Sequence, residues 1–352
     1  MKENIFFNKT RNSNLELYRI IVMLLIVAHH YVVNSGLGEV LQENPLSGRS
    51  IFFYLFGAWG KTGINCFIMI TGYFMCKSQI TLHKFLKLLF EVLFYNIVIY
   101  TIFVITGYEE ISFNSLVNII PGRILDTNFT SCFLVFYLCI PFLNILIKNL
   151  TQKQHLLLIG LCLFIYTFHT TIPRTYVAMN YVSWFCVIYF IASYIRLYPN
   201  KYDNNIHSWR GGILLCIFLS AFSILRQLWL GAHGHQLLPY RYVSDCNELL
   251  PILTAVTSFM YFKNIRIPQS KWINLIGGST FGVLLIHANN DTMRRWLWKD
   301  TLNNIGHYND ELFWLHPIIA IITIFLVCII VDRIRIVLFE KPVFKFLDKN
   351  IT

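Results

Sequence analysis

Residues 15–31 read Leu-Glu-Leu-Tyr-Arg-Ile-Ile-Val-Met-Leu-Leu-Ile-Val-Ala-His-His-Tyr, an apolar run that contains Arg19 and ends in His29 and His30. A run of this kind predicts a helix that spans a membrane. The eleven-residue step from Arg19 to His30 is close to three whole turns, so both side chains project from one face, roughly 16 Å apart along the axis. His29 lies about 100° round the helix from His30.

The face that carries Arg19 and His30 has two interpretations. Ionisable groups inside a membrane are costly and usually functional, which makes this face the first candidate site. The alternative is an arginine that extends to the lipid headgroups and a histidine that is an ordinary polar residue of the core. A histidine also suits proton transfer, because its side chain titrates near neutral pH.

The composition predicts an integral membrane protein. Of the 352 residues, 56% are hydrophobic and 13% are charged, against about 25% charged in soluble domains. The first apolar run lacks a small-residue cleavage site, so we expect it to be retained as a spanning helix. The fold class is therefore all-α and polytopic, with residues 1–352 as one transmembrane domain. Ten apolar segments recur, at about 17–35, 50–76, 88–106, 129–147, 155–171, 180–198, 209–230, 246–262, 272–288 and 311–334.

The net charge of +11 is distributed as expected for membrane topology rather than for a nucleic-acid surface. With the N-terminus inside, 20 of the 29 lysines and arginines lie in segments predicted to be cytoplasmic. This asymmetry predicts that both termini are cytoplasmic. Of the other nine, Lys61 and Arg226 lie within apolar segments, and seven lie in the outer loops, namely Arg49, Arg123, Arg174, Arg241, Arg294, Arg295 and Lys299.

No metal site or bound cofactor is expected from the sequence. The nine cysteines are scattered in or beside apolar segments, without a Cys-x-x-Cys pair or a histidine at metal-ligand spacing. Such cysteines usually behave as small hydrophobic residues.

Lys84, Lys87 and Glu91 lie at steps of three and four residues, which places them on one helical face. The two lysines suit binding of phosphate groups, or they anchor the cytoplasmic end of the helix. A structural pair between Lys87 and Glu91 is a further expectation.

Polar and aromatic residues near the predicted outer surface form a third group. His287 ends the ninth apolar segment, and Trp296, Trp298 and Tyr308 follow it. Aromatic residues at this level usually form interfacial belts, which we favour over a platform that stacks on sugars.

Several segments together resemble one known family. Arg19 and His30 match an Arg-x10-His motif, residues 67–73 read Phe-Ile-Met-Ile-Thr-Gly-Tyr, and residues 184–196 read Trp-Phe-Cys-Val-Ile-Tyr-Phe-Ile-Ala-Ser-Tyr-Ile-Arg. Residues 279–287, Ser-Thr-Phe-Gly-Val-Leu-Leu-Ile-His, are similar to a late Ser-x-x-x-Tyr-Leu-x-His pattern. In this order, the segments resemble the acyltransferase 3 family of ten-helix membrane enzymes that O-acylate bacterial surface glycans.

The sequence departs from this family in two places. An Arg-x-x-Arg after the second span is replaced by Lys84 and Lys87, which keep the charge but lose the bidentate geometry of arginine. Many members also carry a C-terminal esterase-like domain. Here the sequence ends soon after the tenth segment, so we expect the stand-alone form, which has the transmembrane domain without the esterase-like domain.

The resemblance implies a membrane O-acyltransferase, most simply an O-acetyltransferase, in the plasma (inner) membrane. Acyl-CoA, commonly acetyl-CoA, would be the donor substrate, and a surface or lipid-linked glycan would be the acceptor. His30 would deprotonate the acceptor hydroxyl or become transiently acylated, and Arg19 would assist it at the catalytic centre. Arg19, Lys84 and Lys87 would hold the coenzyme phosphates, and His287 would bind and orient the acceptor.

Two other functions fit an intramembrane arginine and histidine. One is a flippase or transporter for a polysaccharide or a lipid-linked sugar. The other is a glycan polymerase, which the short outer loops disfavour. Consumption of acyl-CoA with release of free thiol separates acyl transfer from both alternatives.

Overall fold

The computed structural model describes residues 11–122, 125, 128–169, 172, 175 and 177–351. Arg123 and Arg174 lie outside the described residues, as does the end of the predicted segment 155–171. The described part of the chain consists of helices and loops without a β-strand. Its α-helices are α1 (Ser13–Val33), α2 (Leu37–Glu43), α3 (Gly48–Phe56), α4 (Gly60–Met75), α5 (Leu82–Ile105), α6 (Phe113–Ile119), α7 (Phe129–Asn149), α8 (Gln152–Leu163), α9 (Tyr181–Leu197), α10 (Ile206–Ala232), α11 (Leu249–Asn264), α12 (Lys271–Gly277), α13 (Thr280–His287), α14 (Asp291–Arg295), α15 (Leu315–Arg335) and α16 (Lys341–Ile351).

The described part of the chain also contains three π-helical and two 3-10 segments. The π segments Phe164–Phe168, Trp296–Thr301 and Ile336–Glu340 continue α8, α14 and α15. The 3-10 segments are Lys201–Asn204 and Gly306–Asn309.

Each of the ten predicted segments is helical over most of its length. The second is divided between α3 and α4 and the ninth between α12 and α13, and the helix Tyr181–Leu197 has only 17 residues. The ten-span count stays a prediction. Among the described residues, five helices are long and apolar enough to cross a membrane: Ser13–Val33, Leu82–Ile105, Phe129–Asn149, Ile206–Ala232 and Leu315–Lys349.

Helix α1 lies at the centre of the bundle. It packs against α3, α4, α11, α12, α13 and α15, while α4 also packs against α9 and α11. Half of the residues in the apolar stretch of α1 are buried, compared with 28% of those in Leu82–Ile105. Residues such as Met23 and Val27 have no exposed surface. The polar side chains of α1 are therefore enclosed by protein for much of its length.

Hydrogen bonds connect the two ends of α1 to different segments of the chain. At the N-terminal end, Ser13 Oγ lies 2.9 Å from Asn274 Oδ1. At the other end, the Tyr31 hydroxyl lies 2.7 Å from His316 Nδ1, and Asn304 Nδ2 donates to the Tyr31 carbonyl at 3.0 Å. Segments predicted to share a side of the membrane therefore meet at the same end of α1.

The absolute orientation can be tested with reporter fusions. We expect fusions after Lys201 and Lys271 to report the cytoplasm and fusions near Gly38 and Asn304 to report the outside, because the basic residues favour the cytoplasm. Paired alkaline phosphatase and green fluorescent protein fusions at each position measure this. A cytoplasmic signal at Asn304 would contradict the ten-span topology.

The belt interpretation is wrong for two of the three aromatic residues. Trp298 is fully buried and Tyr308 is 8% exposed, whereas Trp296 is 36% exposed. The Trp298 ring packs edge-on against Tyr31, with the centroids 5.9 Å apart. Trp298 thus attaches the segment after α14 to the end of α1, while the Tyr308 ring packs against Phe53 of α3.

Candidate active site

A histidine in the last turn of α1 contacts the histidine that ends α13. His30 Nδ1 lies 2.9 Å from His287 Nε2, although the two residues are 257 positions apart in the chain. His287 is fully buried, whereas His30 is half-buried. The end of α13 thus supports the ring of His30 from inside the bundle.

The hydrogen bonds determine which ring nitrogens carry protons when both histidines are neutral. His287 Nδ1 lies 2.6 Å from the Val283 carbonyl, which can only accept, so Nδ1 carries the hydrogen. His287 Nε2 is then an acceptor, and His30 Nδ1 must donate to it. His30 Nε2 is left unprotonated. This is the tautomer that a general base needs.

His29 contacts the turn between α3 and α4. His29 Nδ1 donates to the Gly57 carbonyl at 2.6 Å, in the turn that separates the two helices. A Cβ atom at Gly60 would overlap the His29 ring, so only glycine permits this approach of α4 to α1. Although His29 projects from a different face of α1, both histidines line one cavity.

This cavity has a volume of about 590 Å³. That is within the range of small-molecule sites, roughly 300–1,000 Å³. Its walls come from α1, α4, α5, α6, α7, α9, α13 and α14, at the end of α1 that is predicted to lie outside. It is lined by polar residues that include Lys61, Asn96, Tyr181, Asn289 and Arg294.

Two asparagines hold the walls of the cavity together. Asn289 Nδ2 donates to Asn96 Oδ1 at 3.0 Å, which joins the end of α13 to α5. Asn96 Nδ2 donates to the Ile119 carbonyl at 2.8 Å, which joins α5 to α6. The separation of α5, α6 and α13 beside His30 is thus set by half-buried amide contacts.

Lys61 is a cation in the wall that sequence reasoning did not assign to the site. Its Nζ donates to the Tyr181 hydroxyl at 2.8 Å and lies 3.9 Å from Asp245 Oδ1. The available signal was its position one residue after Gly60, inside an apolar segment, where a charge is costly.

Arg19 lies at the other end of α1, in a group that sequence reasoning missed. Its Nη1 lies 3.3 Å from Glu16 Oε1, and Arg11 Nη1 lies 3.3 Å from Glu16 Oε2. Glu16 is 5% exposed, and a Cβ at Gly277 of α12 would overlap it. Two guanidinium groups share one carboxylate, which leaves one positive charge in excess at this end of α1.

The two lysines of α5 have partners of their own. Lys84 Nζ donates to the Gln79 carbonyl at 2.6 Å, and Lys87 Nζ lies 2.7 Å from Glu340 Oε1. The expected pair between Lys87 and Glu91 is wrong, because Glu91 pairs with Arg335 instead. The contacts of the described chain do not bring these lysines together with Arg19.

A buried ion cluster lies where α5 meets the end of α15. Arg335 is 2% exposed and lies 3.0 Å from Glu91, 2.9 Å from Asp332 and 2.6 Å from Glu340. The Tyr95 hydroxyl also donates to Asp332 Oδ1 at 2.8 Å. The sequence had counted Arg335 only as a basic residue of the cytoplasmic side.

The ion cluster packs directly against the helix that ends in His287. A Cβ at Gly282 of α13 would overlap the Asp332 carboxylate. Asp332 therefore rests on the backbone of α13, five residues before His287. This contact fixes α13 between the ion cluster and α1.

One comparison with known proteins identifies a family for this chain. A family model described as an acyltransferase domain, that of the acyltransferase 3 family, matches residues 12–333. No curated protein and no solved structure matches the chain. The matched range includes Arg19, His30, Lys61 and His287, so it contains both ends of α1 and the cavity wall. Because this match spans nearly the whole sequence, the chain belongs to the acyltransferase 3 family and is a membrane acyltransferase.

Proposed function

We propose that the protein transfers an acyl group, in the first instance acetyl, from cytosolic acyl-CoA to a hydroxyl of a surface or lipid-linked glycan. The observation that carries this proposal is the hydrogen-bonded pair of His30 and His287 at a polar cavity. His30 combines an unprotonated Nε2 with a position on the cavity wall. Family membership supports acyl transfer over the flippase alternative.

The reaction needs one proton acceptor and one proton donor. His30 Nε2 takes the proton of the acceptor hydroxyl while the oxygen attacks the thioester carbonyl. The carbon–sulfur bond then breaks, and the thiolate takes up the proton to give free CoA. As His30 becomes cationic, its Nδ1–H still donates to His287, which stabilises the charge and keeps the ring in place.

The phosphate end of the donor would lie at the end of α1 that carries Arg19. Coenzyme A is elongated, with phosphates at one end and the thioester at the other. Arg19 and Arg11 supply the excess cation for the phosphates, and His30 lies three helical turns away, roughly 16 Å along the axis. Arginine suits phosphate because its planar guanidinium binds two oxygens at once.

Purified protein in nanodiscs provides the direct test. We expect release of free thiol from acetyl-CoA only when glycan from cells that lack the protein is added, together with a gain of one acetyl mass in that glycan. Other acyl-CoA donors in the same assay identify the preferred acyl group. Transport of a labelled lipid-linked sugar without thiol release would contradict acyl transfer.

His287 is assigned here as a positioning residue, because it is fully buried and both of its ring nitrogens bond to protein. We expect His287→Ala to lower kcat by less than loss of His30 does, with donor KM unchanged. His287→Gln should recover part of the loss, since an amide oxygen can accept from His30 Nδ1. Equal kcat in His287→Ala and His287→Gln would contradict the positioning role.

Variants of Lys84 and Lys87 test whether these lysines bind the acyl-CoA donor. If they reach coenzyme phosphates, Lys84→Gln and Lys87→Gln should raise the KM for acyl-CoA and leave acceptor dependence unchanged. Losing one or two charge-assisted hydrogen bonds of about 1.5–3 kcal/mol each should weaken donor binding by roughly ten- to a hundredfold or more. Donor titrations measure this effect. Wild-type donor affinity in both variants would show that the lysines serve as helix anchors.

A further inference from the structure

Arg226 is a cation inside the apolar helix α10 that the candidate active site does not use. It lies before the helix end at Ala232, about 9 Å away along the axis. On the same face, Phe222 is 57% exposed and Trp229 is 53% exposed. Exposed apolar side chains on a spanning helix contact lipid, so Arg226 lies near the level where hydrocarbon meets the headgroups.

The chain after α10 folds back onto the end of this helix. The His235 amide donates to the Leu230 carbonyl at 3.1 Å, and the Arg241 amide donates to the Leu238 carbonyl at 3.1 Å. These turns bring Arg241 to a cavity of about 350 Å³ that Arg226 also lines. A cavity of this size can hold the headgroup of a small ligand.

Three side chains of this second cavity carry polar groups that the described chain does not bind. Within the described residues, the guanidinium groups of Arg226 and Arg241 make no hydrogen bond or ion pair. Gln227 is 4% exposed, and its amide likewise makes no hydrogen bond there. Its amide atoms are not fully enclosed, so a ligand in the cavity can reach them. Because buried amides are nearly always hydrogen-bonded, Gln227 indicates a partner in the cavity.

The described lining of the second cavity carries positive charge without a carboxylate to balance it. Its charged residues are Arg226 and Arg241, and His235 adds a further positive charge when it is protonated. By contrast, Arg19 and Arg335 each lie within 3.3 Å of a carboxylate. Two cations that share a cavity repel each other unless an anion binds between them. A phosphate suits this position, because a guanidinium binds two of its oxygens at once.

We propose that Arg226, Arg241 and Gln227 form a site for the phosphate group of an anionic phospholipid. The two guanidinium groups bind the free phosphate oxygens, and the Gln227 amide donates to an ester or hydroxyl oxygen of the headgroup. The acyl chains lie along the exposed side chains of Phe222 and Trp229. An anionic headgroup is favoured over a zwitterionic one, because the ammonium group of the latter repels the second arginine.

The lipid site is separate from the candidate active site. Among the described residues, no side chain that lines the second cavity also lines the cavity beside His30. Lipid binding therefore does not depend on acyl transfer, and it can be measured without a donor or an acceptor.

Lipid titrations of the purified protein in neutral detergent test this site. We expect phosphatidylglycerol to raise the Tm more than phosphatidylcholine, which has the same phosphate but no net charge. Arg226→Gln and Arg241→Gln should each raise the half-saturating concentration of phosphatidylglycerol about tenfold or more, since each removes a charge-assisted hydrogen bond. Gln227→Leu, which removes only a neutral hydrogen bond, should cause a smaller loss. The matched control is Arg295→Gln, which removes the same charge outside this cavity and should leave the titration unchanged.

Three results would overturn the lipid site. The first is equal stabilisation by phosphatidylglycerol and phosphatidylcholine, and the second is a loss in Arg295→Gln as large as that in Arg226→Gln. The third is a full Tm shift with inorganic phosphate alone, which would make a soluble phosphate the ligand instead of a lipid. Size-exclusion chromatography checks that each variant is folded. Arg226→Lys provides a second measurement, because it keeps the charge and should have a half-saturating concentration between those of the wild type and Arg226→Gln.

Discussion

His30→Ala is expected to abolish acyl transfer in a protein that still folds and inserts. The substitution removes the unprotonated Nε2 at the cavity, and a general base typically contributes about 10²–10⁴-fold to the rate. An alanine in a spanning helix does not impair insertion, since it places no polar group in the membrane. Thiol release from acetyl-CoA and the acetyl content of the glycan measure the loss, with size-exclusion chromatography as the check on folding.

His29→Ala is the matched control for this prediction. His29 has the same side chain, lines the same cavity and occupies the neighbouring position, but its Nδ1 bonds to the Gly57 carbonyl rather than to His287. We expect His29→Ala to retain far more activity than His30→Ala. Equal losses in the two variants, or an active His30→Ala, would remove His30 as the base.

Arg335→Met is expected to have the largest effect on stability. The substitution leaves Glu91, Asp332 and Glu340 close together without their shared cation. Removing one partner of a buried ion pair costs about 3–5 kcal/mol. Thermal melting in detergent should therefore show a large fall in Tm, or the protein should fail to accumulate in the membrane.

Arg333→Met provides the comparison on the same helix, because Arg333 is only half-buried and lies outside the cluster contacts. Its Tm should change little. The Tm of Arg335→Lys should lie between those of these two variants, since lysine keeps the charge but lacks the planar guanidinium that reaches three carboxylates. An unchanged Tm in Arg335→Met would show that the cluster does not stabilise the bundle.

Local periodicity predicted the part of the site that lies on α1. The spacing of Arg19 and His30 follows from 3.6 residues per turn, and the apolar run around them predicted the helix. The contact between His30 and His287 was not predictable in this way. It depends on how α13 packs against α1 after the interruption at 278–279, and helical spacing carries no information on contacts between distant segments.

The contact between Arg335 and Glu340 in the ion cluster could not be predicted from α-helical spacing. The step from Arg335 to Glu340 is five residues, which turns about 140° on an α-helix and predicts different faces. The π segment Ile336–Glu340 changes that spacing and brings the two side chains to 2.6 Å. Lys87 and Glu91 were expected to pair with each other because their i,i+4 step was the only local signal available.

The π segment Ile336–Glu340 also determines where this chain can change in length. Removing one residue among Val337, Leu338 and Phe339 would restore a four-residue step, which turns about 40° on an α-helix and keeps the glutamate beside Arg335. A deletion within α15 would instead rotate every later residue by about 100° relative to the bundle. Relatives with one residue fewer in this region are therefore expected to have lost it at the π segment.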